Sequence, residues 1–408
     1  MASSSTTYGI RALPRLPAKQ PFPAGDHAVS QLFAEYREAG RRSIAEPFKG
    51  ITTDGQVIPN LFSIAPTGVS TEPIRQAAEA FLASLDAEGR RAAQFGVGDS
   101  AWRAWSNIHP FVMRHGVVLD DCSATQRERA LDLLRATCSA RGFGLARDIM
   151  RLNEALGELT GRPAEYGEWY YWLSIFGQPA PDQPWGWQID GHHLIVNCFV
   201  LGDQMVVSPT FLGSEPTHVE TGKHAGLRVL SDEEQRGLEF VRGLSHAQRE
   251  LALPVPTESV LRPQRMDGRI QTAAFQDNRV IGYAGIPGAD LSDAQRTHLL
   301  ELIDVYVSRM REGHARVRLD EVARHLDPTR LVWVGGLEDD SVFYYRIQSP
   351  VILIEFDHLN GIAFDNDEVS RNHIHTVVRT PNGNDYGKDL LRQHLERDHV
   401  PRSVGPRS

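Results

Sequence analysis

HLIVNCFVL at 193–201 and QMVVSPTF at 204–211 are two apolar runs rich in β-branched residues, separated only by Gly202-Asp203. Runs of this length and composition form strands, and a two-residue link of turn formers suits a hairpin, hence antiparallel pairing. Upstream, Glu168–Phe176 is an aromatic-rich strand candidate. Downstream, Leu331–Val334, Val342–Gln348, Val351–Phe356 and His373–Thr380 form a second strand group. Helical patterns fall in blocks between these groups instead of alternating with single strands. The expected class is therefore α+β, with largely antiparallel sheets built from hairpins and flanked by separate helical blocks.

The helices are announced by their first turns. A cap hydroxyl accepts from free amides, and a Gln or Glu three residues on reaches back to the cap amide. Ser123 with Gln126, Ser231 with Glu234, Ser245 with Gln248 and Ser292 with Gln295 fit this pattern. An earlier helix from about Pro73 carries Ile74, Ala77, Ala78, Phe81, Leu82 and Leu85 on one face. These elements divide the chain into an irregular arm over 1–26 (with Pro14, Pro17, Pro21 and Pro23), a mainly helical part over 27–165, a strand-rich part over 166–397 and a loose tail over 398–408. No flexible linker separates the two large parts, so they are expected to pack as one unit. Arms of this kind often pack on a neighbouring subunit, which keeps a homo-oligomer open.

With 408 residues, 41% apolar and 23% charged, the chain can bury a large core. Its formal charge of -9 and its scattered basic residues argue against phosphate-backbone binding. No run reaches the ~20 apolar residues that a membrane span needs. Met1–Thr7 lacks the pattern of a secretory leader, and Cys122, Cys138 and Cys198 are odd in number and widely spaced. A cytoplasmic protein binding neither nucleic acid nor membrane is the expectation. The common catalytic signatures fail as well. Gly142-Phe143-Gly144 lacks the third glycine of a dinucleotide fingerprint, and there is no phosphate-binding loop, nucleophile elbow or zinc-protease helix motif.

Two histidine-rich segments remain. In WGWQIDGHH at 185–193, His192 and His193 read as the start of a strand, so their rings are predicted to face opposite sides. Asp190 and two tryptophans beside them suggest a pocket rim. In the second segment, His373 and His375 share one strand face with Arg379, and Glu355 and Asp357 share a face of theirs. Two imidazoles on one face can bind one cation, and two His with a carboxylate suit iron, zinc or manganese. The expected ligands are therefore His193, His373, His375 and Asp357. His192 and Asp190 are the acid–base candidates, and Arg379 or Arg114 would hold an anionic substrate group. The crowded stretch Trp102, Trp105, Asn107, His109, Arg114 and His115 fits packing better than a pocket wall. The loop at 208–216 is a plausible substrate contact, whereas His218, Glu220 and His224 after it read as a solvated loop.

Taken together, five motifs resemble the family called domain of unknown function 3500. They are WGxxxxGHHLxxN at 185–197, TFLGxxP at 210–216, AGLRVL at 225–230, HIHTVxR at 373–379 and NDYG at 384–387. The resemblance runs from about residue 30 to 397. It implies that the marked segments belong to one design, and it assigns them no roles. Many similar sequences carry Asn where this chain has His358, and a shorter link before the His-x-His pair. That departure weighs against a ligand role for His358.

The function expected from these residues is a metal-dependent enzyme acting on a small organic molecule, with hydrolysis by metal-activated water ahead of oxygenation at a redox metal. A metal-free enzyme with a histidine base is a third variant. The competing class is a small-molecule-binding protein without turnover, but several titratable groups per segment favour chemistry over pure binding.

Overall fold

The computed structural model describes residues 8–13, 15–16, 19, 27–109, 113–252 and 270–398. Its strands are β1 (Gln94–Phe95), β2 (Val117–Val118), β3 (Tyr171–Phe176), β4 (Trp185–Gly191), β5 (Leu194–Leu201), β6 (Gln204–Val206), β7 (Thr210–Ser214), β8 (Ile286–Pro287), β9 (Arg330–Gly335), β10 (Phe343–Gln348), β11 (Leu353–Asn360) and β12 (Val369–Arg379). The helices are α1 (His27–Ala45), α2 (Glu72–Ser84), α3 (Ala87–Ala93), α4 (Ala124–Thr137), α5 (Ala140–Thr160), α6 (Ser231–Arg242), α7 (His246–Ala252), α8 (Asp293–Val307), α9 (Glu312–Arg324) and α10 (Lys388–Asp398). All twelve strands join one open sheet in the order β1-β3-β4-β5-β7-β12-β11-β10-β9-β8, with β2 beside β3 and β6 beside β5. Every pairing is antiparallel except β1 with β3. The α+β class read from the hairpins holds.

The Gly202-Asp203 hairpin is present, with Leu201 opposite Gln204. The strand expected over Gln204–Phe211 is two strands. Beyond β6 the chain leaves the ladder, and the Pro209 carbonyl accepts both the Asn197 N–H and the Asn197 Nδ2. Pairing with β5 resumes in β7, where Val196 lies opposite Thr210. Trp185–Gly191, read from sequence as a pocket rim, is instead a strand with every residue buried. Trp185 and Trp187 both belong to the main core.

Both faces of the sheet are covered, which explains why its central strands are apolar runs without alternation. One face carries Leu194, Val196, Leu212, Ile354, Phe356, Ile374 and Val378 against Leu133 and Leu134 of α4, Ile149 of α5 and Leu302 of α8. The opposite face carries Phe176, Ile195, Phe211 and Val377 against Phe33 of α1, Trp102, Trp105, Ile270, Phe275 and Tyr386. That second cover is mostly irregular chain, and the polar residues of the sheet point into it. Residues on both sides of the 165/166 boundary build the main core, and β1 and β2 of the helical part pair with β3.

The capping boxes at Ser123/Gln126 and Ser292/Gln295 form as expected, and Ser245 and Gln248 exchange the same two bonds. Ser231/Glu234 does not. Leu230, at φ 62°, precedes α6 without a side-chain cap, and Glu234 turns inward to His358 and Arg371. Most of the expected N-terminal arm lies outside the described residues, as does the expected tail beyond Asp398. The described part of the arm lies along its own chain, where Arg11 N–H donates to the Ala363 carbonyl and Asp365 N–H to the Gly9 carbonyl. Among the described residues no helix is long and apolar enough to cross a membrane.

Candidate metal centre

Strand β12 places His373 and His375 on the irregularly covered face of the sheet, in line with Val377 and Arg379. His193 reaches them by a different route from the one its sequence suggests. Gly191 pairs with Leu194, so His192 and His193 are the two central residues of a β4–β5 turn and not the start of a strand. His193 adopts φ 62°, a left-handed backbone conformation that histidine tolerates better than most side chains. The two rings, expected on opposite faces, stack with centroids 3.9 Å apart. Beyond the turn, β7 runs alongside, and Gly213 N–H donates to the His193 carbonyl at 2.9 Å.

The result is a triad. The ring centroid of His193 lies 5.3 Å from that of His373 and 5.0 Å from that of His375. The Nε2 atoms of His373 and His375 are 3.0 Å apart, and one ring nitrogen from each of the three residues fits within 4.8 Å of the others. All three residues are buried. Burial, and then the nearness of the other imidazoles, hold His193 and His375 well below the usual histidine range, so both are neutral.

The outer nitrogens have partners of their own. His373 Nδ1 lies 2.8 Å from the Asn360 carbonyl. A carbonyl only accepts, so Nδ1 carries a proton, and Nε2 is the nitrogen turned toward the triad. Directly across the β11–β12 ladder, Asp357 stands opposite His375, with Oδ1 3.9 Å from Nδ1. Its other oxygen accepts the Ile270 N–H at 3.1 Å. Asp357, expected as a ligand, thus sits behind the triad and outside the group of converging atoms. A carboxylate and a carbonyl behind imidazoles are the partners that fix tautomer and ring orientation in metal sites.

The family model described as a protein of unknown function (DUF3500) matches residues 67–388. The chain belongs to this family. No curated protein and no solved structure matches it. The matched span contains all three triad histidines and every residue that supports them.

Three of those supports were not singled out from the sequence as site residues. Gly213 forms the floor, since a Cβ there would lie 2.7 Å from His375 Cδ2 and 3.3 Å from His193 Cδ2. Glu215 accepts the backbone N–H groups of Ile362 and Ala363, and its Oε2 is 3.8 Å from His373 Nδ1. Both residues lie in the small-residue loop at 208–216, which was the available signal. Asn153 on α5 pins His192, whose Nδ1 is 2.8 Å from Asn153 Oδ1. That contact is set by tertiary packing and has no local signature.

The remaining candidates divide. His192 joins the triad's border, with the His109 ring 6.0 Å and the Tyr166 ring 5.6 Å away. Asp190 is buried one residue before the turn, and burial raises its carboxyl well above the usual range. Arg114 lies over the Trp172 ring at 5.8 Å. Arg379, expected to hold a substrate anion, is fully buried and already engaged. Nε donates to the Thr272 carbonyl, Nη1 to Asp277 and Asp385, and Nη2 to the Ala273 carbonyl. It organises the cover of the sheet and leaves no fork for a ligand. His358 is bound on both nitrogens, accepting from Phe343 N–H and pairing with Glu234. A separate cleft of about 590 Å³ between α6 and α8 is lined by charged side chains such as Arg141, Asp232 and Glu301 and contains none of the triad.

Proposed function

We propose that this chain is a metal-dependent enzyme in which His193, His373 and His375 hold one divalent ion that activates water to attack a small organic molecule. The observation that carries this reading is the 3.0 Å approach of two imidazole Nε2 atoms. With the His373 proton on Nδ1, its Nε2 is a bare lone pair. A proton on His375 Nε2 could bridge the two rings, but it would leave His375 Nδ1 bare toward the Asp357 carboxylate 3.9 Å away. A proton on Nδ1 faces that carboxylate favourably and leaves two lone pairs converging, together with His193, on a point that suits a cation.

The ligand set favours hydrolysis over oxygenation. Three imidazoles with an open fourth position are the set that zinc uses to lower the pKa of bound water. Neutral ligands leave the full charge on the ion, which strengthens that effect. The iron arrangement of two histidines and one carboxylate would need Asp357 among the ligands. Elemental analysis of protein purified without chelators or a metal-leaching tag tests the reading. Zinc near one ion per chain, absent from His375→Ala, is expected, together with zinc-dependent hydrolysis in an ester and amide panel. Stoichiometric iron or copper with oxygen uptake would overturn the hydrolytic reading, and metal-free protein that gains nothing on reloading would overturn the metal.

A further inference from the structure

Close to the triad, four buried side-chain atoms have no hydrogen-bond partner among the described residues: Ser106 Oγ, His109 Nε2, Glu165 Oε1 and Asp190 Oδ2. Ser106, Glu165 and Asp190 are at most 3% exposed, and the His109 side chain is 7% exposed. They form two linked pairs. Ser106 N–H donates to Asp190 Oδ1 at 3.3 Å, and His109 Nε2 stands 3.8 Å from Glu165 Oε2. Between Ser106 and His109 in the chain, the Asn107 carbonyl accepts the His193 N–H, which ties the group to a triad residue. Native proteins leave few buried polar atoms unsatisfied, so a local concentration of them calls for a partner that completes the bonding.

The charges here say what kind of molecule. Arg162 Nη1 lies 3.3 Å from Glu165 Oε2 and balances that carboxylate. Asp190 has no cation in its described contacts, and burial raises its carboxyl well above the usual range. The group therefore holds no unbalanced cation to meet an anion. It offers a hydroxyl, an imidazole nitrogen and two carboxyl oxygens, which together call for groups that both donate and accept. Hydroxyls do both. The Tyr166 ring, 4.5 Å from His109, adds an apolar wall. We propose that Ser106, His109, Glu165 and Asp190 form a binding subsite for a neutral, hydroxyl-rich small molecule beside the histidine triad. The subsite rests on the reading of the triad as a centre that acts on a small organic molecule, and it replaces the anionic substrate for which Arg379 has no free fork.

The test uses the full chain, zinc-loaded, with Ser106→Ala and Asp190→Leu. Without ligand, Ser106→Ala should melt at the wild-type temperature or about 1–2 °C above it, because it removes an unsatisfied buried group, whereas Asp190→Leu also takes away the acceptor of the Ser106 N–H and should melt a few degrees lower. Calorimetric titration with D-glucose, D-sorbitol and myo-inositol should give at least one millimolar or tighter ligand, bound about tenfold more weakly by either variant, while D-glucuronate fails to bind. A Ser106→Ala variant that melts several degrees lower would show that the chain itself satisfies this hydroxyl, and would overturn the subsite. So would binding by none of the neutral polyols, or glucuronate binding equally well. Zinc content measured on the same samples separates the two claims. Zinc retained with no polyol bound sinks the subsite alone, and polyol bound without zinc sinks the metal alone.

Discussion

Strand β12 carries two buried polar clusters on one face, and they are built on opposite principles. Around Arg379 everything closes. Arg103 and Arg379 face Asp277 and Asp385 at 2.7–3.2 Å, Tyr386 donates to Asp277, and Trp105 Nε1 donates to the Tyr386 hydroxyl. Two cations meet two anions, and the remaining donors reach backbone carbonyls. Around His373 and His375, a few residues up the same strand, three buried imidazoles converge, with no counter-group among the described residues at their centre. The first arrangement ties the irregular cover to the sheet. The second ties no element to another in this way, which is what motivates the proposed cation site.

The largest effect should come from opening the closed cluster. Arg379→Met leaves Asp277 and Asp385 buried with one cation between them, and removing one partner from a buried ion network costs about 3–5 kcal/mol. Denaturant unfolding measures it. Arg379→Lys should recover little, since a single ammonium cannot reach both carboxylates and both carbonyls.

A third cluster, on the opposite face, is also closed and supplies a pH test. Burial pushes the Glu234 carboxyl up, but hydrogen bonds from His358 and Arg371 outweigh it and bring the value down from 4.5 to about 2. A depressed carboxyl stabilises the fold fully above the ordinary value, and that stabilisation is lost as pH falls from about 4.5 toward 2. The loss should be about 3 kcal/mol. Glu234→Gln should flatten the stability profile across that window, and an unchanged profile would show that the pair is not closed.

Smaller changes address the open cluster. Gly213→Ala puts a methyl 2.7 Å from His375 Cδ2 and from the Ile374 carbonyl, which should cost about 1–3 kcal/mol of stability and weaken metal binding. Asp357→Asn keeps an acceptor for the Ile270 N–H but removes the charge behind His375. Its fold should survive, and metal affinity measured by competition with a chelator should fall about 10- to 100-fold. The smallest effect is the sharpest contrast with Arg379. In metal-free protein, His375→Ala should cost no more than about 1–2 kcal/mol, because it relieves two facing lone pairs while losing some packing.

How much of this was legible follows from how far each feature reaches along the chain. Strand parity is local, so His373 and His375 on one face, and Glu355 and Asp357 on one face of theirs, could be read directly, whereas the ladder that sets these faces side by side could not. The β4–β5 turn could not. His192-His193 carries none of the Gly, Asn or Asp residues by which two-residue turns declare themselves, so a strand pattern absorbed both histidines. Asn197, further along β5, bonds Gln188 and the Pro209 carbonyl, and the turn is what brings His193 to the triad. Trp185–Gly191 hid as a strand because glycines interrupt it. Its closeness to Trp102, at Gly186, and to Tyr171, at Gly191, explains why glycine is needed there. Arg379 looked available because its partners Asp277, Thr272 and Ala273 lie about a hundred residues away in sequence and come back only through the fold.

The central claim is that the open cluster is open for a cation. Titrating zinc into chelator-treated, full-length protein and following heat and melting temperature measures this directly. One ion per chain should bind, raising stability by about 2.7 kcal/mol when free zinc reaches a hundred times its dissociation constant. The same titration of a His193→Ala, His373→Ala, His375→Ala variant should give no such site and no stabilisation. Equal binding by the wild type and the triple variant, or none by either, would contradict the account.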